Sequence, residues 1–308
     1  FSTKTLVLND GQIYTIADSE LENLGPSFAG LHKKDQYLTA RNAFNGMLLW
    51  RKKLFAPEKD DRVYVAKPVL VAVSGQVFAV QDLNHLMVLN GKTGELIRNQ
   101  PTTYLPTLLV IDQGIAVVAS MKNGDIVPGK KGAWGRPFRE HAKGSLQAFN
   151  TTTGKLLWTK ALVASCMLAS EGKVVLIRKT PAGEGVMKIT ESVEALDLKT
   201  GTALWRAEGK PLKDRSKVKR RNRLTMDAAS YGTVAVTVGN DQYTVVFNAE
   251  DGRVLFEGPF KAYTHYIDGR IYVGRSVYDP ETGKQMTGVA PINKGGKSCT
   301  PRAYANSL

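Results

Sequence analysis

One spacing pattern, Ala-x-Asx-x-x-Thr-Gly-x-x-Leu-Trp, returns along this chain and constrains its fold more than any other feature. Residues 147–158 (QAFNTTTGKLLW) align with residues 194–205 (EALDLKTGTALW). An earlier copy runs from Ala40 through Asn42 and Gly46 to Trp50. Three weaker copies keep the turn and replace the Trp: Asn90 to Gly94 with Arg98, Asn248 to Gly252 with Phe256, and Asp279 to Gly283 with Thr287. The turn glycines stand at 46, 94, 154, 201, 252 and 283, so the spacings are 48, 60, 47, 51 and 31. A period near ~47 residues is the length of a four-stranded antiparallel unit.

The residue types at the turn explain its shape. An Asx side chain accepts hydrogen bonds from backbone N–H groups just ahead of it, and Gly supplies positive φ where the chain reverses. Apolar strand-sized runs flank each turn, such as 86–89 before one and 156–158 after another. These Asp and Asn residues are read as turn formers, not catalysts. A second glycine precedes each turn: Gly11, Gly75, Gly114, Gly172, Gly232 and Gly269. Each opens a strand beginning with Ile or Val within two residues. The second unit shows the whole sequence of elements: strands at 68–73, 76–80, 85–90 and 95–98, joined by turns.

Composition fits a globular chain of this kind. It has 308 residues, 43% hydrophobic and 23% charged. No apolar run reaches the ~18 residues of a membrane-spanning helix. Two cysteines, Cys166 and Cys299, cannot form a disulfide framework. The chain starts at Phe1 without a signal peptide and is expected to be a processed form or fragment, incomplete at both ends. Length alone allows one large all-β domain or two ordinary ones; the repeat favours a single domain over 1–308. Lys and Arg number 42 against 28 Asp and Glu, a net charge of +14 that suits an anionic partner.

The repeat resembles that of PQQ-like β-propellers, a family that includes quinoprotein dehydrogenases and BamB-like outer-membrane assembly lipoproteins. Residues 35–50 and the Ser298-Cys299 stretch resemble PQQ-like repeat proteins of planctomycete-type bacteria in particular. The resemblance implies an all-β propeller of four-stranded antiparallel blades. Six blades are visible, a seventh opens at 300–308, and a full ring would hold seven or eight. It also implies a periplasmic or otherwise exported location. In the family the aromatic of the fourth strand docks on the neighbouring blade, a role that falls here on Trp50, Trp158, Trp205 and Phe256. PQQ with Ca²⁺ is implied as a cofactor by resemblance only. Calcium-dependent members place a vicinal Cys-Cys over the quinone, whereas these two cysteines stand far apart. No motif here matches the family's metal ligands or its catalytic Asp.

In an antiparallel blade the A–B and C–D turns share one end, and the B–C and D–A connections share the other. From each second-strand glycine to its turn glycine the distances are 35, 19, 40, 29, 20 and 14 residues. The excess is read as B–C insertions at 17–35, 120–144 and 178–190. Long D–A connections run at 55–67 and 207–224, so all five extensions leave from one end, where binding usually resides. That end is basic. Residues 210–223 (KPLKDRSKVKRRNR) hold eight Lys and Arg against one Asp, including Lys217, Lys219, Arg220, Arg221 and Arg223. The insertion of the third unit, 120–144, adds Lys130, Lys131, Arg136, Arg139 and His141 around Trp134, the one Trp outside the repeat position. Arg forks suit carboxylate, sulfate or phosphate, and Trp134 can stack on a ring or sugar. The bland alternative is a solvated basic loop and a Trp packed over its own insertion. Nucleic-acid binding would need interleaved aromatics, and 210–223 has none, so that reading rests on charge alone.

His32, His85, His141 and His265 share no metal-ligand spacing, and neither a nucleophile elbow nor a Walker loop is present. The expected function is therefore a binding or scaffold propeller whose long-loop face engages an anionic ligand or a protein. A PQQ-dependent dehydrogenase is the alternative.

Overall fold

The computed structural model describes residues 3–18, 36–54, 69–82, 84–122, 126–131, 137–139, 142–181, 189–207, 224–230, 232–238, 243–258, 264–267, 270–273, 276–280 and 282–288. Their regular structure is β throughout. Contacts divide the chain into two compact units, Phe1–Val163 with Gly183–Lys188, and Ala164–Ala182 with Ile189–Leu308.

The first unit holds three four-stranded antiparallel blades. Blade 1 is β1 (Thr3–Asn9), β2 (Gln12–Asp18), β3 (Gln36–Asn42) and β4 (Leu48–Leu54), paired in that order. Blade 2 is β5 (Leu70–Val73), β6 (Gln76–Asp82), β7 (His85–Asn90) and β8 (Leu96–Pro101). Blade 3 is β9 (Leu105–Asp112), β10 (Ile115–Lys122), β13 (Lys143–Asn150) and β14 (Leu156–Lys160). Between β10 and β13 the chain forms a separate hairpin of β11 (Ile126–Lys131) and β12 (Pro137–Arg139). Within this unit the first strands of successive blades lie against one another, β1 on β5 and β5 on β9.

The second unit repeats the pattern. Blade 4 is β15 (Val163–Ser170), β16 (Lys173–Pro181), β17 (Ile189–Asp197) and β18 (Ala203–Ala207). Blade 5 is β19 (Leu224–Ser230), β20 (Thr233–Val238), β21 (Tyr243–Asn248) and β22 (Val254–Gly258). Among the described residues blade 6 has three strands, β23 (Thr264–Ile267), β24 (Arg270–Val273) and β25 (Ser276–Tyr278). Where its fourth strand was expected there is a single bridge between Tyr278 and Gln285. The expected seventh-blade strand at 300–308 lies outside the described residues.

The continuous apolar run at 86–89 is explained by burial on both faces. Leu86 and Val88 pack with Phe78, Val118 and Phe149 toward blade 3. Met87 and Leu89 pack with Tyr14, Ile16, Leu38 and Ala40 toward blade 1. Side chains alternate across a strand, so one run feeds two cores. Blade 5 does the same: Val245 and Phe247 join the core with blade 4, while Val246 joins Ile271 and Tyr278 of blade 6.

Strand bounds differ from the sequence expectation at the B–C insertions. β10 and β13 stay paired out to Lys122 and Lys143, and β16 and β17 stay paired out to Pro181 and Ile189. The insertions therefore begin beyond these strand ends, because alternating side chains such as Ser120, Ser145, Arg178 and Ser192 still fit a pleated sheet. β8 likewise runs on to Pro101.

The six Asx turns share one geometry. The Asn150 side chain accepts from the N–H groups of Thr152 and Thr153 at 3.0 and 2.8 Å. Asp197 accepts from Lys199 and Thr200 at 3.0 and 2.7 Å, and the Thr200 hydroxyl donates to it at 2.8 Å. Thr200 and its neighbours, by stabilising the charged form, hold the Asp197 carboxyl below the usual carboxylate range. A native state that prefers the carboxylate gains stability above the unfolded-state value of about 3.9, and loses it as pH falls toward the lower folded-state value. Asp197→Asn keeps the acceptor found in four of the other five turns. The stability gap between wild type and this variant should hold from neutral pH down to about 4, then close in more acidic solution. Urea melts at stepped pH would measure it.

Candidate functional site

The two ends of each blade are built differently. At one end the A–B turns of blades 1 to 4 are two-residue hairpins with positive φ at both residues, for example Ser74 at 49° and Gly75 at 71°. The glycine carbonyl of each such turn accepts from the residue after the Asx: Gly91 N–H to Gly75, Thr151 to Gly114 and Ala249 to Gly232, at 2.7 to 2.9 Å. This bond ties the A–B turn to the C–D turn and closes that end.

The strand-D residues reach from one blade to the next at the same end. The Trp50 indole N–H donates to the Gly91 carbonyl at 2.7 Å, and the Trp205 indole N–H to the Ala249 carbonyl at 2.8 Å. Each indole lies on a turn glycine: a Cβ on Gly94 would stand 2.6 Å from Trp50, and one on Gly252 would stand 2.6 Å from Trp205. Phe256 stacks on Tyr278 of blade 6 with ring centroids 4.2 Å apart. Trp158 occupies the matching place in blade 3, paired with Ala148.

A bulge aims these side chains. In every complete blade the C–D register slips by one residue just before this position, leaving Leu49, Ile97, Leu157, Leu204 and Leu255 as the extra residues. A bulge bends the strand and re-aims the side chain after it. The sequence signal was the apolar pair before each Trp position, which breaks period-2 alternation.

The B–C and D–A connections leave from the opposite end. Here the hairpin β11–β12 sets Lys131 opposite Pro137 and Ile126 opposite Arg139. It thus carries the backbones of Lys130, Lys131 and Arg139 on one ribbon. Trp134, Arg136 and His141 lie outside the described residues, as do Lys217, Lys219, Arg220, Arg221 and Arg223. At the base of the ribbon, Lys122 and Lys143 face each other across β10 and β13, and both are exposed.

Blade 4 shows how a connection is anchored at this end. The Glu191 carboxylate accepts from the Leu224 N–H at 2.7 Å, where the basic connection re-enters blade 5. Lys179 stands 3.9 Å from Glu191, and Arg178 donates to Glu194 at 3.2 Å. Glu194 is only 4% exposed, a burial that a carboxylate tolerates when paired and hydrogen-bonded. Sequence reasoning passed over both glutamates. Their signal was two acids three residues apart within one strand, at 191 and 194.

The described residues do not fit a PQQ–calcium site. Among them no three His, Cys, Asp or Glu side chains gather where a metal could be held. Cys166 lies within β15 at 3.9 Å from the Met226 carbonyl. Among the described residues no helix is long and apolar enough to cross a membrane.

Similar proteins share this architecture. The profile of the family described as outer membrane protein assembly factor BamB matches residues 34–187, 135–208 and 189–289. A computationally designed protein, Ika8, matches with a TM-score of 0.53 at 14% identity over 92% of this chain and 72% of its own. A europium-containing methanol dehydrogenase matches with a TM-score of 0.53 at 11% identity, covering 87% of this chain and 54% of its own. The quinohemoprotein alcohol dehydrogenase of Comamonas testosteroni matches with a TM-score of 0.52 at 13% identity, over 92% of this chain and 45% of its own. This chain thus spans about half the length of the two dehydrogenases, and at such identities the likeness concerns the fold. No curated protein sequence matches it. The chain belongs to the BamB-type family of PQQ-like repeat proteins, and its fold is an all-β propeller of four-stranded antiparallel blades.

Proposed function

We propose that this protein is an exported binding module, a scaffold whose loop end engages an anionic surface on its ligand or protein partner. The observation that carries the reading is the asymmetry of the blade ends. One end is closed by turn-to-turn hydrogen bonds, and the long connections with their basic residues belong to the other. Residues 210–223 contribute eight cationic side chains against one Asp, and the next residue, Leu224, bonds Glu191 at the start of blade 5. Lys130, Lys131 and Arg139 sit on the β11–β12 ribbon, with Trp134 and Arg136 in the segment joining its strands. The family description, an outer membrane assembly factor, supports the exported setting.

Heparin is a suitable probe of a cationic face. Its affinity should fall tens of fold between about 50 and 200 mM salt if roughly three anionic groups are engaged. Deleting 210–223, or combining Arg136→Ala with Arg139→Ala, should flatten that slope. Binding that is insensitive to salt and to both variants would reject the reading.

A further inference from the structure

Blade 2 lacks the repeat's Trp, and the structure shows what its replacement does. Arg98 pairs with Val88 in the register that Trp50 holds with Ala40 and Trp205 with Ala195. Its guanidinium reaches the next blade's turn as an indole does. One Nη donates to the Thr152 carbonyl at 3.2 Å and the other to the Thr151 carbonyl. A Cβ on Gly154 would stand 2.9 Å from Arg98 Nε, so the side chain lies on the turn glycine as Trp50 lies on Gly94.

Two consequences follow from the exchange. A guanidinium on a narrow stem fills less space than an indole, and a groove of about 560 Å³ runs between β8 and the outer part of blade 3. The exchange also brings a charge. Both Nη groups bond neutral carbonyls, while the buried Nε has no acceptor. Burial alone lowers the Arg98 pKa, the direction expected of a cation without a counter-charge.

The rest of the groove has a consistent chemistry. Gln100 and Gln147 line it and are only 6% and 8% exposed. Gln147 Oε1 accepts from the Thr103 N–H at 2.8 Å, so the amide NH₂ is the part of this side chain that can serve a further acceptor. Phe149 and Leu156 supply apolar walls.

We propose that this groove between blades 2 and 3 is a second binding site, for an organic carboxylate with an apolar or aromatic body, and that Arg98 supplies its charge. A carboxylate matches a cation that has no counter-charge and the neighbouring Gln147 amide, and an apolar body matches Phe149 and Leu156. The site uses none of the basic loop residues named above.

Titration of the full chain with benzoate, followed by calorimetry, tests the assignment. Benzoate should bind saturably, and its neutral isostere benzamide should bind at least roughly ten-fold more weakly. Arg98→Trp restores the repeat's own residue, refills the groove and removes the charge. It should abolish benzoate binding while leaving the melting temperature unchanged or raised. Leu156→Glu replaces an exposed wall of the groove with a competing carboxylate; it should weaken benzoate by about ten-fold or more. Heparin binding should be the same in both variants. No saturable benzoate binding, equal binding of benzoate and benzamide, or wild-type affinity in both variants would overturn the proposal.

Discussion

Gly252→Ala is expected to destabilise the protein by about 3 kcal/mol, and Gly75→Ala by only about 1 to 2. The two glycines have nearly the same backbone, with φ of 72° and 71°. Each therefore carries the same penalty for a Cβ in the left-handed region, roughly 1–2 kcal/mol. They differ in what that Cβ meets. At Gly75 nothing stands within 4 Å, whereas at Gly252 the Trp205 ring is 2.6 Å away. Forcing an indole off its turn adds an overpacking cost of roughly 1–3 kcal/mol. Denaturant melts of both variants isolate the second term by subtraction. Equal losses would mean that the indole–glycine contact does not hold the blades together.

Trp205→Ala should cost a similar amount, about 3 kcal/mol, for a different reason. The ring is half-buried, stacks near Phe247 with centroids 6.2 Å apart, and donates to the Ala249 carbonyl at 2.8 Å. Truncation removes the packing and leaves a cavity at the joint. Trp205→Phe keeps most of the ring and loses the N–H, so about 1 kcal/mol should be lost. The two predictions are coupled. With Trp205 already cut to Ala, adding Gly252→Ala should cost only the backbone penalty, so the double variant is more stable than the sum of the singles implies. Strict additivity would place the effect of Gly252 elsewhere.

The parts of this fold that depend on neighbouring residues were readable from the chain. Asx and Gly at fixed offsets make their bonds within five residues, so Asn42, Asn90, Asn150, Asp197, Asn248 and Asp279 announced the turns directly. The division of 86–89 between two cores was half visible: the run looked buried, but which residue faces which blade depends on partners far along the chain. The bulge before each Trp was present as an apolar doublet that reads equally well as generic burial. Glu191 and Glu194 were hidden because a buried acid makes sense only beside Lys179, Leu224 and Arg178, which the sheet brings to it. Arg98 looked like decay of the motif. In three dimensions it is a substitution with its own geometry, bonding the same kind of turn and leaving a groove beside it. The charge of the blade-3 insertion was legible, whereas its β11–β12 pairing was not, because no Asx-Gly turn signals it between the two strands.

The joint between blades has two halves, and one copy of the repeat encodes both. Gly94 receives the Trp50 ring, and the same copy goes on to send Arg98 to Gly154. A stretch from one turn glycine to the next therefore carries one socket and one plug. Duplicating or deleting such a stretch in whole would leave each remaining plug facing a socket, whereas a cut inside it would strand one of each. Genes for chains of this kind can consequently grow and shrink in whole repeats without having to invent a new contact.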